Sequence, residues 1–135
     1  MKVLADTSVW SLALRRKEPC DTARELSDLI MSSLVVMIGP VRQELLSGIS
    51  SEETFLKLKA SLEAIDDLAI TTRDYVTAAQ FYNACRKHGI QGSHTDFLIC
   101  AAAYHNDLLI FSTDLDFERF AEYLPIRLYP QCLLQ

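Results

Sequence analysis

Proline and glycine are scarce, four of each in 135 residues, and they are spread along the chain with only Gly39-Pro40 adjacent. That excludes a collagen-like or low-complexity chain, and there is no internal repeat or linker-like segment. Apolar runs such as Leu34–Ile38 fall far short of the roughly 20 residues that a membrane-spanning helix needs. The N-terminus has no basic stretch leading into an apolar one with a small-residue cleavage site, so a cytoplasmic protein with no membrane association is expected. The four cysteines, Cys20, Cys85, Cys100 and Cys132, never stand in Cys-x-x-Cys spacing, which argues against a zinc site or a disulfide framework. Cys85 and Cys100 sit in apolar helical patterns and are expected to be small core residues. Basic residues are outnumbered 13 to 18 by acidic ones, a net charge of −5, which argues against a generic nucleic-acid binder. Two divalent cations would bring the chain close to neutral, provided several acids are ligands.

Half of the residues are hydrophobic, which excludes a disordered chain. A chain near 150 residues hides roughly 68–70% of its unfolded surface, so residues 1–135 are expected to form a single domain. Lys2–Ala5 reads as a short apolar strand, and Asp6-Thr7-Ser8 after it as a helix N-cap signal. A helix through Val9–Leu14 runs into the basic cluster Arg15-Arg16-Lys17, where Pro19 blocks its extension. Asp21 or Thr22 can cap a second helix to Ser32, with Ala23, Leu26, Leu29 and Ile30 at helical spacing. Leu34–Ile38 reads as a buried strand. Gly39-Pro40 turns the chain into a helix stopped by Gly48. Glu52 to Ala64 is expected as a helix, Leu68–Thr71 as a strand, and Thr72 to Lys87 as a long helix with Val76, Ala79, Phe81, Tyr82 and Cys85 as buried candidates. Thr95 is expected to cap a central apolar helix from Asp96 to His105. Leu108–Phe111, Phe117–Tyr123 and Ile126–Tyr129 follow as strand, helix and strand. Strands alternating with helices predict an α/β fold with a mainly parallel sheet covered by helices on both faces.

Four acids share a topological position. Asp6 and Asp114 follow apolar strands, Glu44 lies one turn into the helix after the second strand, and Asp96 opens the central helix. In a right-handed parallel sheet these positions converge on one edge, where ligands bind. Any one of them alone is explained by capping or by the helix dipole. Four together disfavour each other's ionisation unless a counter-charge is supplied. Oxygen ligands without His or Cys suit Mg²⁺ or Mn²⁺, and such sites activate water and steady leaving oxygens in phosphate chemistry. Asp116 fits either a fifth ligand or the cap of the helix at Phe117.

These residues carry a resemblance. Asp6-Thr7-Ser8-Val9-Trp10, Glu44 within Val-Arg-Gln-Glu-Leu, Asp96-Phe-Leu-Ile-Cys-Ala-Ala-Ala and Ser112-Thr-Asp-Leu-Asp-Phe117 together resemble a PIN domain, at a size similar to that of VapC-type ribonuclease toxins. The resemblance spans nearly the whole chain. It implies that Asp6, Glu44, Asp96 and Asp114 form the family's acidic quartet, that Asp116 matches an acid many members have, and that Ser8 and Ser112 orient the site. It further implies Mg²⁺- or Mn²⁺-dependent RNA cleavage, homodimerisation, and inhibition by a cognate VapB-type antitoxin.

The reading is a metal-dependent endoribonuclease. Asp6, Asp96 and Asp114 hold the ions, and Glu44 is a ligand or orients the attacking water. In-line attack by metal-activated water leaves a 5′-phosphate and a 3′-hydroxyl. A phosphoacceptor domain would want a lysine after Leu108–Phe111, and a dehalogenase-type phosphatase would want Asp-x-Asp where Asp6-Thr7-Ser8 stands. An inert interaction module is the non-enzymatic alternative. Arg15, Arg16 and Arg42 are candidate RNA contacts, and His94, two residues from Asp96, is a candidate substrate contact. His88 and His105 are explained by the dipole at helix C-termini, and Trp10 by the core.

Overall fold

The computed structural model describes residues 1–15 and 20–130. A five-stranded, all-parallel sheet has the order β3-β2-β1-β4-β5. The strands are β1 (Val3–Ala5), β2 (Val35–Ile38), β3 (Asp67–Leu68), β4 (Leu109–Phe111) and β5 (Arg127–Leu128). The helices are α1 (Thr7–Arg15), α2 (Asp21–Met31), α3 (Gly39–Leu46), α4 (Glu52–Leu62), α5 (Thr72–Arg86), α6 (His94–Asn106) and α7 (Asp116–Ala121). β1 is central, pairing with β2 on one side and β4 on the other, with Ala5 opposite Phe111. The chain winds outward from β1 to β3 and then returns to β4. The crevice beyond the carboxyl ends of β1 and β4 is therefore the topological switch point of the sheet, where open α/β folds bind ligands.

The all-parallel sheet agrees with the alternating pattern of the sequence. Strands buried on both faces need no polar alternation, and Val3, Leu4, Ala5, Met37, Ile38, Ile110 and Phe111 are all buried. The central helix is as dry as its composition demanded, with Phe97 through Ala103 buried without interruption. Cys85, Cys100 and Trp10 join the core. Among the described residues no helix is long and apolar enough to cross a membrane.

Several local expectations are corrected. The side chain that caps α2 is that of Cys20, whose sulfur accepts the Ala23 N–H, and not Asp21 or Thr22. α6 is capped by Ser93 in a reciprocal capping box with Asp96, two residues earlier than Thr95 would place it. Ile30 of α2 and Val76 and Ala79 of α5 face outward. The inward face of α5 is Asp74, Ala78, Phe81 and Cys85. An aspartate occupies a core position there because it has a partner. His105 Nδ1 lies 2.5 Å from Asp74 Oδ1, and His105 Nε2 lies 3.2 Å from Thr77 Oγ1. The helix dipole is thus a minor part of why His105 sits where it does. A buried imidazole–carboxylate pair staples α6 to α5.

Gly92, in the loop before α6, has no room for a side chain. A Cβ there would stand 2.6 Å from the Phe120 ring of α7 and 3.0 Å from Phe97 of α6. The two rings pack with centroids 4.8 Å apart, so α6 and α7 meet through this point.

Candidate active site

Asp6 is the first residue past β1. Its backbone N–H donates to Phe111 O at 2.9 Å, which extends the sheet pairing by one step and fixes the carboxylate at the switch point. The carboxylate accepts from the Val9 N–H at 3.3 Å, the capping role that the sequence expects. It also accepts from two hydroxyls, Ser8 Oγ to Oδ1 at 2.5 Å and Ser112 Oγ to Oδ2 at 2.7 Å. Each hydroxyl has one proton to give, so each must find its own donor elsewhere. Ser8 Oγ accepts from Thr113 N–H at 3.1 Å, and Ser112 Oγ accepts from Asp114 N–H at 2.9 Å. The loop after β4 is thereby laced to the loop after β1, and both hydroxyls are oriented toward Asp6 by backbone amides.

Asp6 is buried, and its carboxyl is pushed above the ordinary range. Burial is the main cause; the hydroxyls and the Val9 amide oppose it, and the charge of Asp114 adds to the rise. Asp96 behaves alike. Burial raises it, its bonds to Ser93 lower it, and Asp114 and Asp6 raise it again. The three aspartates, from the ends of β1 and β4 and the start of α6, therefore lie in one another's field. α6 runs back toward the start of β4, and this is why its N-terminus reaches the same sheet edge as the loops after β1 and β4.

Glu44 reaches this edge from α3. Thr7 Oγ1 donates to its Oε2 at 2.8 Å, and Thr7 is the neighbour of Asp6. Asp114 accepts the Asp116 N–H at 2.9 Å, so Asp114 helps start α7 and Asp116 is not the cap. Arg42 is held elsewhere: it donates to Asp67 at 3.0 Å, to Leu62 O at 3.0 Å and to Ile65 O, tying α3 to the approach to β3. Arg16 and Lys17 lie outside the described residues, and so does the side chain of Arg15. His94 stacks on Tyr82 with centroids 5.4 Å apart, against a groove of about 580 Å³ between α5 and α6 rather than among the acids. Two contributors escaped the sequence reading. Thr7 was visible only as part of a cap, and the Ser93-x-x-Asp96 spacing was a legible capping-box signal.

The donor set is all oxygen, with no imidazole or thiolate among the converging groups, which suits a hard divalent cation. Two of its members carry carboxyls raised mainly by burial and further by neighbouring acids, and a cation bound beside them would oppose that shift. Among the described residues no three acids, histidines or cysteines are already drawn together as a closed ligand cage. The acids form a shared field, open toward solvent at Asp114 and Glu44, which are both exposed.

Solved structures with the same architecture include FitAcB from Neisseria gonorrhoeae, at 22% identity and a TM-score of 0.75, covering 95% of this chain and 96% of that one. VapBC2 from Rickettsia felis bound to a promoter DNA fragment matches at 17% identity and a TM-score of 0.78, covering 98% and 100%. DNA-bound VapBC from Salmonella typhimurium matches at 18% identity and 0.73, covering 98% and 99%. At such identities the likeness is one of fold. The PIN domain family model matches residues 3–123, nearly the full length, and on that match the chain belongs to the PIN domain family.

Proposed function

We propose that residues 1–135 form a single nuclease domain, a divalent-metal-dependent endoribonuclease of the VapC toxin type. The observation that carries this reading is the buried Asp6 carboxylate, which two hydroxyls orient and which lies in the field of a further acid, with no cationic side chain among the described residues as its hydrogen-bond partner. Mg²⁺ or Mn²⁺ would be held by Asp6, Asp96 and Asp114, with Glu44 as a further ligand or as the group that orients water. Bound there, the ion supplies an acidified water and stabilises developing charge on phosphate oxygens. The chain's own contribution is positional. Ser8 and Ser112 keep the Asp6 oxygens in place, Ser93 fixes one oxygen of Asp96, and Thr7 holds Glu44 beside them. Asp114 and Glu44, being exposed, face an incoming phosphodiester.

The similar structures are FitAcB and DNA-bound VapBC proteins. They support a VapB-type antitoxin as the partner of this chain. The exposed α5 face, with Tyr75 and Val76 more than half exposed, supports a homodimer, and the absence of any spanning helix among the described residues is in keeping with a cytoplasmic site of action.

The test is cleavage of single-stranded RNA with and without Mg²⁺, with the product ends identified. Metal-dependent cutting to 5′-phosphate and 3′-hydroxyl ends is expected, abolished in Asp96→Asn with the fold intact. Cyclic 2′,3′-phosphate ends, or wild-type rates in Asp96→Asn, would overturn the reading. Calorimetric titration with Mn²⁺ separates an inert module, which would bind the ion weakly or not at all.

A further inference from the structure

A second cavity, of about 380 Å³, opens directly beside the acids, and Ser112, Thr113 and Asp114 belong to its wall. The rest of the wall includes Leu115, Glu118, Tyr129 and Pro130, from α7, the loop before it and the chain end after β5. Its size falls within the roughly 300–1,000 Å³ of small-molecule sites. Its chemistry is divided. Tyr129 presents a half-buried ring, fixed from behind by Phe111 at a centroid distance of 4.7 Å and by its own N–H to Ile110 O at 2.8 Å. Leu115 is 69% exposed at the mouth. The acidic groups at the rim are Asp114 and Glu118, and among the described residues no lysine or arginine lines the cavity.

A phosphate is repelled from such a site, whereas a flat, uncharged ring carrying N–H donors is suited to it. We propose that this cavity receives one unpaired nucleobase of the RNA strand next to the cut, with Tyr129 as its stacking surface and Glu118 accepting a hydrogen bond from its exocyclic amine. The proposal rests on the nuclease reading for its substrate but not for its chemistry of recognition. Single-stranded RNA is read by splayed bases stacked on aromatic side chains and bonded along their edges, and a carboxylate selects an amine donor. Adenine, cytosine and guanine carry such an amine and uracil does not. Continuity with Asp114 sets the reach: a base in the cavity places its backbone phosphate at the acids.

Two measurements test this. In the first, the wild-type protein cuts a randomised single-stranded RNA with Mg²⁺, and the bases flanking the cut are counted. Uracil should be disfavoured about fivefold at one flanking position, the discrimination expected of a single hydrogen bond. Glu118→Gln, whose amide can also donate to a uracil carbonyl, should restore uracil there, read as the share of uracil among all cuts. An unaltered flanking preference in both Glu118→Gln and Tyr129→Ala overturns the proposal. In the second, free nucleosides are titrated into the full chain while the backbone amides of Thr113 and Glu118 are followed by NMR. Cytidine and adenosine should shift them at lower concentration than uridine. Equal response to uridine, or response to arginine methyl ester alone, overturns the proposal and assigns the cavity to a basic side chain of a protein partner. A chain that binds cytidine in this way but cuts no RNA keeps the base site and sinks the nuclease reading.

Discussion

Asp6 and Asp74 are both buried aspartates at helix starts, and they have opposite electrostatics. Burial raises each carboxyl. At Asp74 the hydrogen bonds from His105 and Thr71 and the charge of His105 outweigh burial, so the group ends below the ordinary range. At Asp6 the neighbours are two neutral hydroxyls, an amide and another acid, and the group ends above it. One carboxylate has its counter-charge built into the fold; the other keeps a deficit that none of its hydrogen-bond partners among the described residues offsets with a positive charge. The difference separates an acid that holds helices together from one whose burial its hydroxyl partners do not offset, although a sequence shows both as Asp near an N-cap.

Breaking the satisfied pair should have the largest effect. His105→Ala leaves Asp74 buried without its partner and is expected to destabilise the fold by about 3 kcal/mol, read as the shift of a urea midpoint. A loss under about 1 kcal/mol, the scale of a surface pair, would mean the staple is not a buried ion pair. Asp6→Asn is the counterpart. It should abolish Mn²⁺ binding in calorimetry while leaving metal-free stability unchanged or up to about 1 kcal/mol higher, because the deficit disappears with the charge. A clear loss of metal-free stability would show Asp6 to be a structural acid.

The pH dependence sharpens the same contrast, with opposite signs. Asp74 is depressed, so its stabilisation is present above the unfolded aspartate value and is lost as pH falls through its folded value. Asp6 is raised, so its stabilisation is present below the unfolded value and is lost as pH climbs through the folded one. Denaturation curves of Asp74→Asn and Asp6→Asn against wild type, collected in metal-free buffer from strongly acidic pH, below the ordinary aspartate range, up to neutral, should therefore diverge in opposite directions, Asp74 at the acidic end and Asp6 above the ordinary range. Parallel curves would remove the distinction.

Smaller effects come from the hydroxyls. Ser112→Ala removes a donor to Asp6 and the acceptor of the Asp114 N–H. It should cost about 1 kcal/mol and about tenfold in Mn²⁺ affinity. Thr7→Val frees Glu44 and should alter stability by no more than about 0.5 kcal/mol, with a few-fold drop in RNA cleavage at saturating Mg²⁺ and an unchanged Mn²⁺ affinity. An unchanged cleavage rate would remove Glu44 from the water-orienting role.

How far the molecule was legible in its sequence follows from the range of each interaction. The alternation of apolar strands and helices fixed a parallel sheet, and with it the common edge for Asp6, Asp96 and Asp114, because right-handed crossovers leave few other arrangements. Local caps were legible only where the usual residues served. A thiol in the Cys20 position lies outside the usual preference, and Ser93 was passed over although its spacing to Asp96 was visible. Which side of α5 faces inward was misread at Val76 and Ala79, since the core stripe runs through an aspartate. That aspartate is explained by His105, 31 residues away, and no local pattern encodes such a pair. Arg42 was misjudged for the same reason: its acceptors at Leu62, Ile65 and Asp67 come from another part of the chain.

At Gly92 the approach of two rings depends on a missing methyl. Phe120 anchors the helix that begins just after Asp114, Phe97 directly follows Asp96, and both rings crowd the bare α-carbon at 92. Gly92→Ala would have to push one ring aside, so a residue with no chemistry of its own sets how closely the starts of α6 and α7 can pack.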